Sequence, residues 1–401
     1  PNHKIDRVLE EKELTRIKKA LTSPNTVTTT EKTKLVTEKP PLNLDLTTLQ
    51  RQANSLWGWT ARKTLSVSQR LYDTHKLITY PRTDSKHLPN DMEEEINKLW
   101  TSLSKHKTLG KYAKSLIHHG SNNHEIIFDD NKVSDHYAII PTGMLPKEKI
   151  DDDEKRLFEH IFRTFLASFY PSASREKIIR ETLVNQEKFV ANAEQYVELG
   201  FREVLPSKKQ IPEGWGKVST KDAVEISSHE INSELTKPTA RLGEARLLSL
   251  MEHAGKNVEE ETYAQAMKHK GLGTPATRAE IIENLLKREY IGRSRSGSFH
   301  AKSKGMILID SLRRIPIEWI TSPELTGEME AKLLNVSQGK TSSHEYLNVI
   351  RERTSEMVKL IREHDRNQFY SEEPPIGKCP SCDGAVLESV FFYQCENNSN
   401  N

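Results

Sequence analysis

The segment KLITYPRTDSKHLP, Lys76–Pro89, decides how the rest of the chain is interpreted. A short apolar run ends at Tyr80, and a proline, an arginine and three small polar side chains follow it directly. Side chains two positions apart in an extended chain lie on the same side, so Tyr80 and Arg82 can face one common point. Asp84, two positions further on, is placed to orient Arg82.

Tyr80 has two interpretations. A phenol has a pKa of about 10, so it is a poor nucleophile unless its charge is stabilised or its proton is removed. Attack on a phosphodiester puts charge on the non-bridging oxygens, which a bidentate guanidinium such as Arg82 would stabilise. In the alternative, Tyr80 is a buried ring that closes a strand, beside a solvated arginine. The segment alone favours this alternative.

The composition predicts a multidomain protein with a large wetted surface. The chain has 401 residues, a mean hydropathy of −0.68 and 29% charged residues, and that length suggests about two to four domains. Lys and Arg (59) nearly balance Asp and Glu (57), so a nucleic-acid surface would have to be a local patch. Three cysteines do not make a disulfide framework, no apolar run reaches a membrane span, and the charged N-terminus does not resemble a signal peptide. We expect an intracellular protein.

Apolar spacing predicts helices from Leu42 to Tyr170. The strongest is DDDEKRLFEHIFRTFLASFYP, capped by Asp151 to Asp153 and ended by Pro171. LTTLQRQANSLWGW predicts another helix, with threonine as its N-cap. From about Lys177 the period changes, and KIIRETLVN, KFVANAEQYVELGFREVL and DAVEISSHEI predict short strands. One stripe on the strongest helix carries its large apolar side chains: Leu157, Phe158, Ile161, Phe162, Phe165, Leu166 and Phe169.

Helices are predicted again after Pro238, in GEARLLSLMEHAG, ATRAEIIENLLKREY and SSHEYLNVIRERTSEMVKLIREHDR. Between the last two, YIGRSRSGSFHAKSKG predicts a basic hairpin. A helix followed by a basic hairpin is winged-helix-like, which suits contacts with a nucleic-acid backbone.

Two further segments carry groups suited to phosphate. SDHYAIIPT, Ser134–Thr142, places His136 ahead of an apolar run, where it can donate to a phosphate oxygen or simply cap a buried segment. GLGTPATRAEIIENLL, Gly271–Leu286, feeds a helix whose first turn holds Thr277 and Arg278. Free N–H groups at a helix N-terminus favour an anion. An ordinary loop-to-helix turn capped by threonine remains the alternative there.

Taken together and in this order, LITYPRTDS, DHYAIIPT, KPTARLGEARLLSLME and GLGTPATRAEII resemble the type IA DNA topoisomerases. The Tyr-Pro-Arg and HYAIIPT sequences are similar to those of the bacterial topoisomerase III branch. PPLNLDLTTLQ and SPELTGEME also match, so the resemblance runs from about residue 38 to about residue 360. It implies a multidomain α+β fold: a toroidal arch in which mainly helical tyrosine and base domains are joined by a strand-rich arm.

The resemblance implies an ATP-independent enzyme that cleaves one DNA strand, passes a strand and religates. Tyr80 would be the nucleophile that becomes joined to the 5′ phosphate, Arg82 would stabilise the scissile phosphate, and His136 would contact a DNA phosphate in support of the site. The only GKT, at Gly339, lacks the upstream glycine of a Walker A loop. Further DNA contacts are expected at Thr83, Asp84, Ser85, Thr277 and, because of its place at a helix terminus, Arg278.

The domain boundaries expected on this basis follow the resemblance and the changes of period. They are 1–40, the end of a preceding strand-rich arm or linker; 41–172, the helical domain bearing the tyrosine; 173–238, the strand-rich connecting arm; 239–372, the helical base with its winged-helix-like part; and 373–401, the start of a zinc-ribbon-like module.

The cofactors implied are magnesium and zinc. The family holds Mg²⁺ in a Toprim domain that precedes this region, on a Glu and an Asp-x-Asp cluster. The acidic segments FDDNK and IDDDEK are predicted to be a loop and a helix cap instead. We therefore expect a fragment without the Toprim domain, which alone binds single-stranded DNA weakly and cleaves it poorly or not at all. Cys379, Cys382 and Cys395 predict a partial zinc knuckle, and no fourth ligand follows before Asn401.

The partners expected are single-stranded and duplex DNA, with a helicase or a single-strand-binding protein as a further candidate. We expect a monomer in the bacterial cytoplasm, at the nucleoid, with no membrane partner. Two alternatives stay open: a non-catalytic single-stranded DNA-binding module that retains the fold, and an accessory protein of a mobile element whose motifs are relics. An upstream Toprim sequence with its acidic cluster would favour the enzyme.

Overall fold

The computed structural model describes residues 7–22, 27–146, 150–207, 210–219, 224–258, 260–267, 271–315, 317–364, 375–388 and 393–397. Helices and small antiparallel sheets alternate along these residues, which confirms the multidomain α+β class. The helices are α1 (Glu11–Thr22), α2 (Leu46–Trp57), α3 (Ala61–Asp73), α4 (Glu93–Leu103), α5 (Gly110–His119), α6 (His124–Ile127), α7 (Asp152–Ser168), α8 (Glu244–Glu252), α9 (Glu261–Met267), α10 (Pro275–Lys287), α11 (Ser303–Arg314), α12 (Pro323–Ser337) and α13 (Ser343–Glu363). The strands are β1 (Val27–Glu38), β2 (Ala173–Val184), β3 (Glu187–Glu198), β4 (Ile291–Arg293), β5 (Phe299–Ala301), β6 (Gly377–Lys378), β7 (Ala385–Glu388) and β8 (Tyr393–Cys395).

Strands β1, β2 and β3 form one antiparallel sheet, the arm, in that order. β1 pairs with β2 along its whole length, from Val27 opposite Val184 to Glu38 opposite Ala173. β2 turns into β3 through Asn185, whose φ of 53° lies in the left-handed region that tight hairpins require. Cross-strand ion pairs such as Arg180 with Glu31 cover the sheet. The arm is therefore a polar ribbon built from two segments far apart in the sequence.

Helices α2 to α7 surround the main hydrophobic core, and α7 runs through its centre. The Asp151 side chain accepts from the backbone N–H of Glu154, and the Glu154 side chain accepts in return from the backbone N–H of Asp151, so the predicted acidic cap is a complete capping box. The Trp100 ring stacks on Phe165 at 4.9 Å between centroids. The phenylalanine rings of the predicted stripe are buried almost completely: Phe158, Phe162, Phe165 and Phe169.

We call helices α8 to α13 the base and helices α2 to α7 the helical part; the predicted basic hairpin is present in the base as β4 and β5. The base has a smaller core around Leu248, Ile282 and Phe299, and the only residue from the helical part that joins this cluster of described residues is Ala61. At the C-terminus, β6, β7 and β8 make a three-stranded sheet.

A polar interface, which we call the seam, joins α2 and α3 to α8 and α10. The backbone N–H of Ala61 donates to Glu244 Oε1 at 2.7 Å, and the N–H of Ala245 donates to Asn54 Oδ1 at 3.2 Å. Gly243 precedes α8 and offers no side-chain cap, so Asn54 supplies one from the other side. Each helix thus begins against a side chain from across the seam. An ion pair at 3.2 Å between Arg51 and Glu252 lies beside them.

Three local predictions were wrong. The N-cap of α2 is Asp45, whose carboxylate accepts from the N–H of Thr48 at 2.6 Å, and not a threonine. The described part of DAVEISSHEI forms no strand, because no neighbouring strand pairs with it. KFVANAEQYVELGFREVL leaves the sheet at Glu198 and continues as a 3₁₀ turn, Gly200–Glu203, because Phe201 packs into the main core.

In the part of the chain that the structure describes, no helix is long and apolar enough to span a bilayer.

Candidate functional site

The segment carrying Tyr80 lies directly beside the segment carrying His136. The Thr79 backbone N–H donates to the Ile140 carbonyl, and the Ile140 N–H donates back to Thr79 Oγ1, both at 2.9 Å. Thr79 Oγ1 also donates to the Ala138 carbonyl at 2.9 Å. Two motifs more than fifty residues apart in the sequence are thereby locked in register.

Thr83 and Ser85 extend this lock. Thr83 Oγ1 donates to the backbone carbonyl of His136 at 2.8 Å and accepts from the Ser85 N–H at 3.0 Å. Ser85 Oγ donates to the Lys132 carbonyl at 2.8 Å. Both residues, which were expected to contact DNA, are almost fully buried. In this arrangement their hydroxyls position backbone and do not face solvent.

Tyr80 is half-buried between two aromatic neighbours. Its ring centroid lies 4.3 Å from that of His136, with the planes inclined at 48°. Tyr72, from α3, meets it edge-on at 5.4 Å and 76°. Packing on two sides restricts the rotamers of the Tyr80 ring, so its direction is set before any ligand arrives.

Arg82 is exposed, and its guanidinium reaches back to α3, where Nη2 donates to Gln69 Oε1 at 3.3 Å. Asp84, expected from its spacing to orient Arg82, instead accepts from Ser134 Oγ at 2.8 Å. Of the residues that the structure describes, none forms an ion pair with Arg82. Its positive charge is therefore available to an anion.

The third motif closes the same site from the base. The loop of Gly271 and Gly273 has positive φ at both glycines, and a Cβ at Gly271 would collide with the Met251 carbonyl. It leads to Thr274, the N-cap of α10, whose N–H donates to Thr277 Oγ1 at 2.8 Å. The threonine expected near bound DNA, Thr277, is exposed and part of this capping box.

A cleft of about 210 Å³ lies where the three motifs meet. The start of α10 faces the arginine and the histidine across it, so side chains from both the helical part and the base line one opening. Its lining residues are Arg82, Thr83, Asp84, Ser134, Asp135, His136, Thr274, Pro275 and Ala276.

Arg278 does not point into this cleft. The residue is 3% exposed, and its Nη1 donates to Thr47 Oγ1 on α2 at 2.8 Å while Nε donates to the Leu272 carbonyl at 3.3 Å. Burial lowers its pKa. Its place in the first turn of α10 suggested an anion contact, but its direction on the helix carries it into the seam. In this conformation it ties α10 to α2 and is not accessible to a phosphate.

Sequence reasoning missed Gln69 and Tyr72, which hold Arg82 and Tyr80. The signal was available in the predicted helix TARKTLSVSQRLYDTHK, because positions three apart share a helix face. Which face α3 turns toward the Tyr80 segment is a matter of tertiary packing, so the spacing alone did not single them out.

The three cysteines lie together at the C-terminus. The Sγ atoms of Cys379, Cys382 and Cys395 are all within 4.8 Å of one another, and among the described residues this is the only group of three or more His, Cys, Asp or Glu side chains that could hold a metal. A hydrogen bond from the side chain of Asn397 lowers the pKa of the Cys382 thiol to about 7, which favours the thiolate that metals bind. Thiolate sulfur suits Zn²⁺.

Comparisons with known proteins agree across most of the chain. A family model described as DNA topoisomerase matches residues 1–348. DNA topoisomerase 3 of Bacillus cereus is 32% identical over 363 residues, covering 86% of this chain and 48% of that protein. DNA topoisomerase 3 of Shouchella clausii is 31% identical over 391 residues, covering 96% and 53%. The chain thus spans about half the length of the curated relatives it matches.

Among solved structures, full-length topoisomerase I from Thermotoga maritima matches with a TM-score of 0.66. The match covers 98% of this chain and 62% of that one at 24% sequence identity. This likeness establishes a shared fold.

Proposed function

Because this chain belongs to the type IA DNA topoisomerase family and is similar to topoisomerase III, we propose that it supplies the nucleophile and part of the DNA-binding surface for ATP-independent strand cleavage, strand passage and religation. The chain spans about half the length of its relatives, so the complete reaction is proposed for the protein that carries this chain. In that protein, residues 41–172 would carry the nucleophile and 239–372 would form the facing base.

One observation carries the proposal: three segments distant in sequence meet at a single cleft, which Arg82 and His136 line, and the Tyr80 ring packs against His136. Tyr80 supplies a hydroxyl, Arg82 a cation without an acidic partner among the described residues, and His136 an imidazole 4.3 Å from the tyrosine ring. The N-terminus of α10 faces them. An ordinary strand-end tyrosine does not require this convergence.

The proposed step is a displacement at one phosphodiester. Tyr80 Oη loses its proton and attacks phosphorus, the P–O3′ bond breaks, and the leaving 3′ oxygen takes up a proton. Arg82 stabilises the charge on the non-bridging oxygens, and an N–H of His136 donates to the same phosphate. The 5′-phosphotyrosine retains the energy of the broken bond, so the 3′-hydroxyl can reverse the step without ATP.

Metal ions enter this scheme at two places. Type IA topoisomerases use Mg²⁺, but the described residues contain no group of three or more carboxylates that fits it. We therefore derive no step of this chain through magnesium. Zinc fits better: Cys379, Cys382 and Cys395 would hold it and fix the C-terminal strands, with a fourth ligand still to be identified.

The test is the covalent adduct. The protein carrying this chain is incubated with Mg²⁺ and a labelled single-stranded oligonucleotide and then denatured, and adducts are separated on a gel. We expect an adduct with the unmodified protein and with Tyr72→Phe, a matched control that loses a neighbouring phenol, and none with Tyr80→Phe. An adduct retained in Tyr80→Phe would assign the nucleophile elsewhere.

A non-catalytic DNA-binding module remains the second candidate, since the described residues contain no group of three or more carboxylates placed to hold magnesium. It predicts oligonucleotide binding without any adduct in the protein carrying this chain. A monomeric state, a cytoplasmic place at the nucleoid and a helicase or single-strand-binding partner are proposed on the resemblance alone.

A further inference from the structure

Gln69 is the residue that holds the Arg82 side chain, and we propose that it is a positioning residue for phosphate recognition. The inference rests on the proposed function, in which Arg82 binds the scissile phosphate. Gln69 itself would not touch DNA; it would act by fixing where the guanidinium points.

Gln69 lies on α3, and this helix is fixed at both ends. Thr60 caps its start by accepting from the N–H of Lys63 at 3.0 Å. Near its end, Arg70 bonds to Glu154 at 2.7 Å and to Asp151 at 3.1 Å, at the capped start of α7. The backbone from which the Gln69 side chain projects is therefore held in place.

One face of α3 contacts both proposed reacting groups. Gln69 and Tyr72 are three positions apart and so lie on the same face. Gln69 Oε1 accepts from Arg82 Nη2 at 3.3 Å, and the Tyr72 ring packs edge-on against Tyr80 at 5.4 Å. The helix thereby sets the guanidinium and the phenol relative to one another, before DNA binds.

The chemistry of the acceptor matters as much as its place. An amide oxygen takes one N–H of the guanidinium and leaves its charge and other donors for a ligand. A carboxylate at the same point would form an ion pair with Arg82 and compete with phosphate. Asp84, the acid nearest in sequence, is bonded to Ser134 and does not neutralise the guanidinium. The site thus holds its arginine through a neutral group.

Three variants test this in the protein that carries the chain: Gln69→Glu, Gln69→Ala and Arg82→Ala. Binding of a single-stranded oligo-dT is measured over a series of salt concentrations, together with the rate of adduct formation. We expect Gln69→Glu to weaken binding about tenfold and to lower the salt slope by about 0.7, which is the value for one phosphate on a single strand. Gln69→Ala keeps the charge of Arg82, so its salt slope should stay unchanged while adduct formation slows several-fold.

A double variant separates positioning from a general structural role. In the Arg82→Ala background, Gln69→Glu should have no further effect, because there is no guanidinium left to capture. The inference is overturned if Gln69→Glu binds and reacts like the unmodified protein, or if it costs as much with Arg82 absent as with it present. If Arg82→Ala itself leaves binding and adduct formation unchanged, the proposed role of Arg82 fails, and this inference with it.

Discussion

Helix α3 is held on two sides by surfaces of opposite character. Toward α7 it joins a core in which Phe158 and Phe162 are fully buried among apolar neighbours. Toward α8 and α10 it meets the seam, where Glu244, Asn54 and Arg278 make hydrogen bonds and ion pairs. Apolar packing therefore dominates on one side of the helix, and hydrogen bonds and ion pairs dominate on the other.

The core and the seam differ in whether water can replace the interactions that are lost when they open. An apolar side chain removed from the core finds no equivalent partner in water, at a cost of about 1.5–3 kcal/mol for a residue of the size of Phe. A hydrogen bond across the seam is exchanged for one to water and contributes only about 0.5–1.5 kcal/mol net. We therefore expect the helical part and the base to separate along the seam more easily than the core opens.

The largest effect should come from the core. Phe162→Ala removes a fully buried ring from α7 and should lower the free energy of unfolding by about 3–5 kcal/mol. Urea denaturation followed by circular dichroism measures it. The matched control is Phe189→Ala on the arm, where the ring is 36% exposed and a much smaller loss is expected. Equal losses in the two variants would mean that α7 is not the centre of the core.

His160 tests whether the core side responds to pH. Its Nε2 lies 2.6 Å from Gln52 Oε1, and burial lowers its pKa from 6.5 to about 4. As pH falls, the unfolded chain binds the proton first, so stability is greatest above pH 6.5 and declines down to about pH 4, by at most about 3 kcal/mol. Unfolding measured from pH 7.5 to 4 should show a steeper decline than in His160→Gln. Parallel profiles would show that His160 is not buried in its neutral form.

Glu244 tests the seam directly. Glu244→Ala leaves the buried Ala61 N–H without its acceptor and the Arg293 guanidinium with Glu283 alone, at a cost of about 1–3 kcal/mol. Hydrogen exchange should accelerate at the starts of α3 and α8 while α7 stays protected. Glu280→Ala, an exposed acid on α10, is the control and should change neither. Faster exchange throughout α7 would show that the seam and the core open as one unit.

The smallest effect is expected at the edge of the seam. Arg51 pairs with Glu252 at 3.2 Å, and the arginine side chain is 36% exposed. Arg51→Ala should therefore cost about 0–1 kcal/mol, and less at high salt. Exchange at the end of α8, where Glu252 lies, measures it when compared at low and high salt with the exposed control Arg62→Ala. A cost above that of Glu244→Ala would reverse the ranking of the two contacts.

The sequence predicted local structure correctly where one segment determines its own conformation. The stripe on α7 and the cap at Asp151 needed only helical periodicity and the preference of acids for a helix start. The hairpin of β4 and β5 was predicted from the segment YIGRSRSGSFHAKSKG. The grouping of Tyr80 with His136 was expected only through the family resemblance, since no local rule brings those segments together.

The sequence does not predict which segments pair with one another or toward which neighbour a side chain points. β1 reads as an extended polar run, but its partner β2 begins more than a hundred residues later. Arg278 lies in the first turn of α10, where an anion could bind, but its side chain leaves the helix toward Thr47 on α2. Residues 224–231 alternate like a strand, but no strand among the described residues pairs with them. Each of these depends on which surfaces meet in three dimensions, which periodicity does not encode.

The junction between arm and helical part has a mechanical consequence. Glu38 at the end of β1 pairs with Ala173 at the start of β2, and Glu198 at the end of β3 pairs with Ser174, so three backbone connections pass side by side between the arm and the helical part. Pro40 and Pro41 stiffen one of them, and a cavity of about 220 Å³ lies beside it. Bending the arm within the plane of its sheet would stretch one outer connection while the other slackened. Bending across that plane loads all three alike, so this is the direction in which the arm is expected to flex.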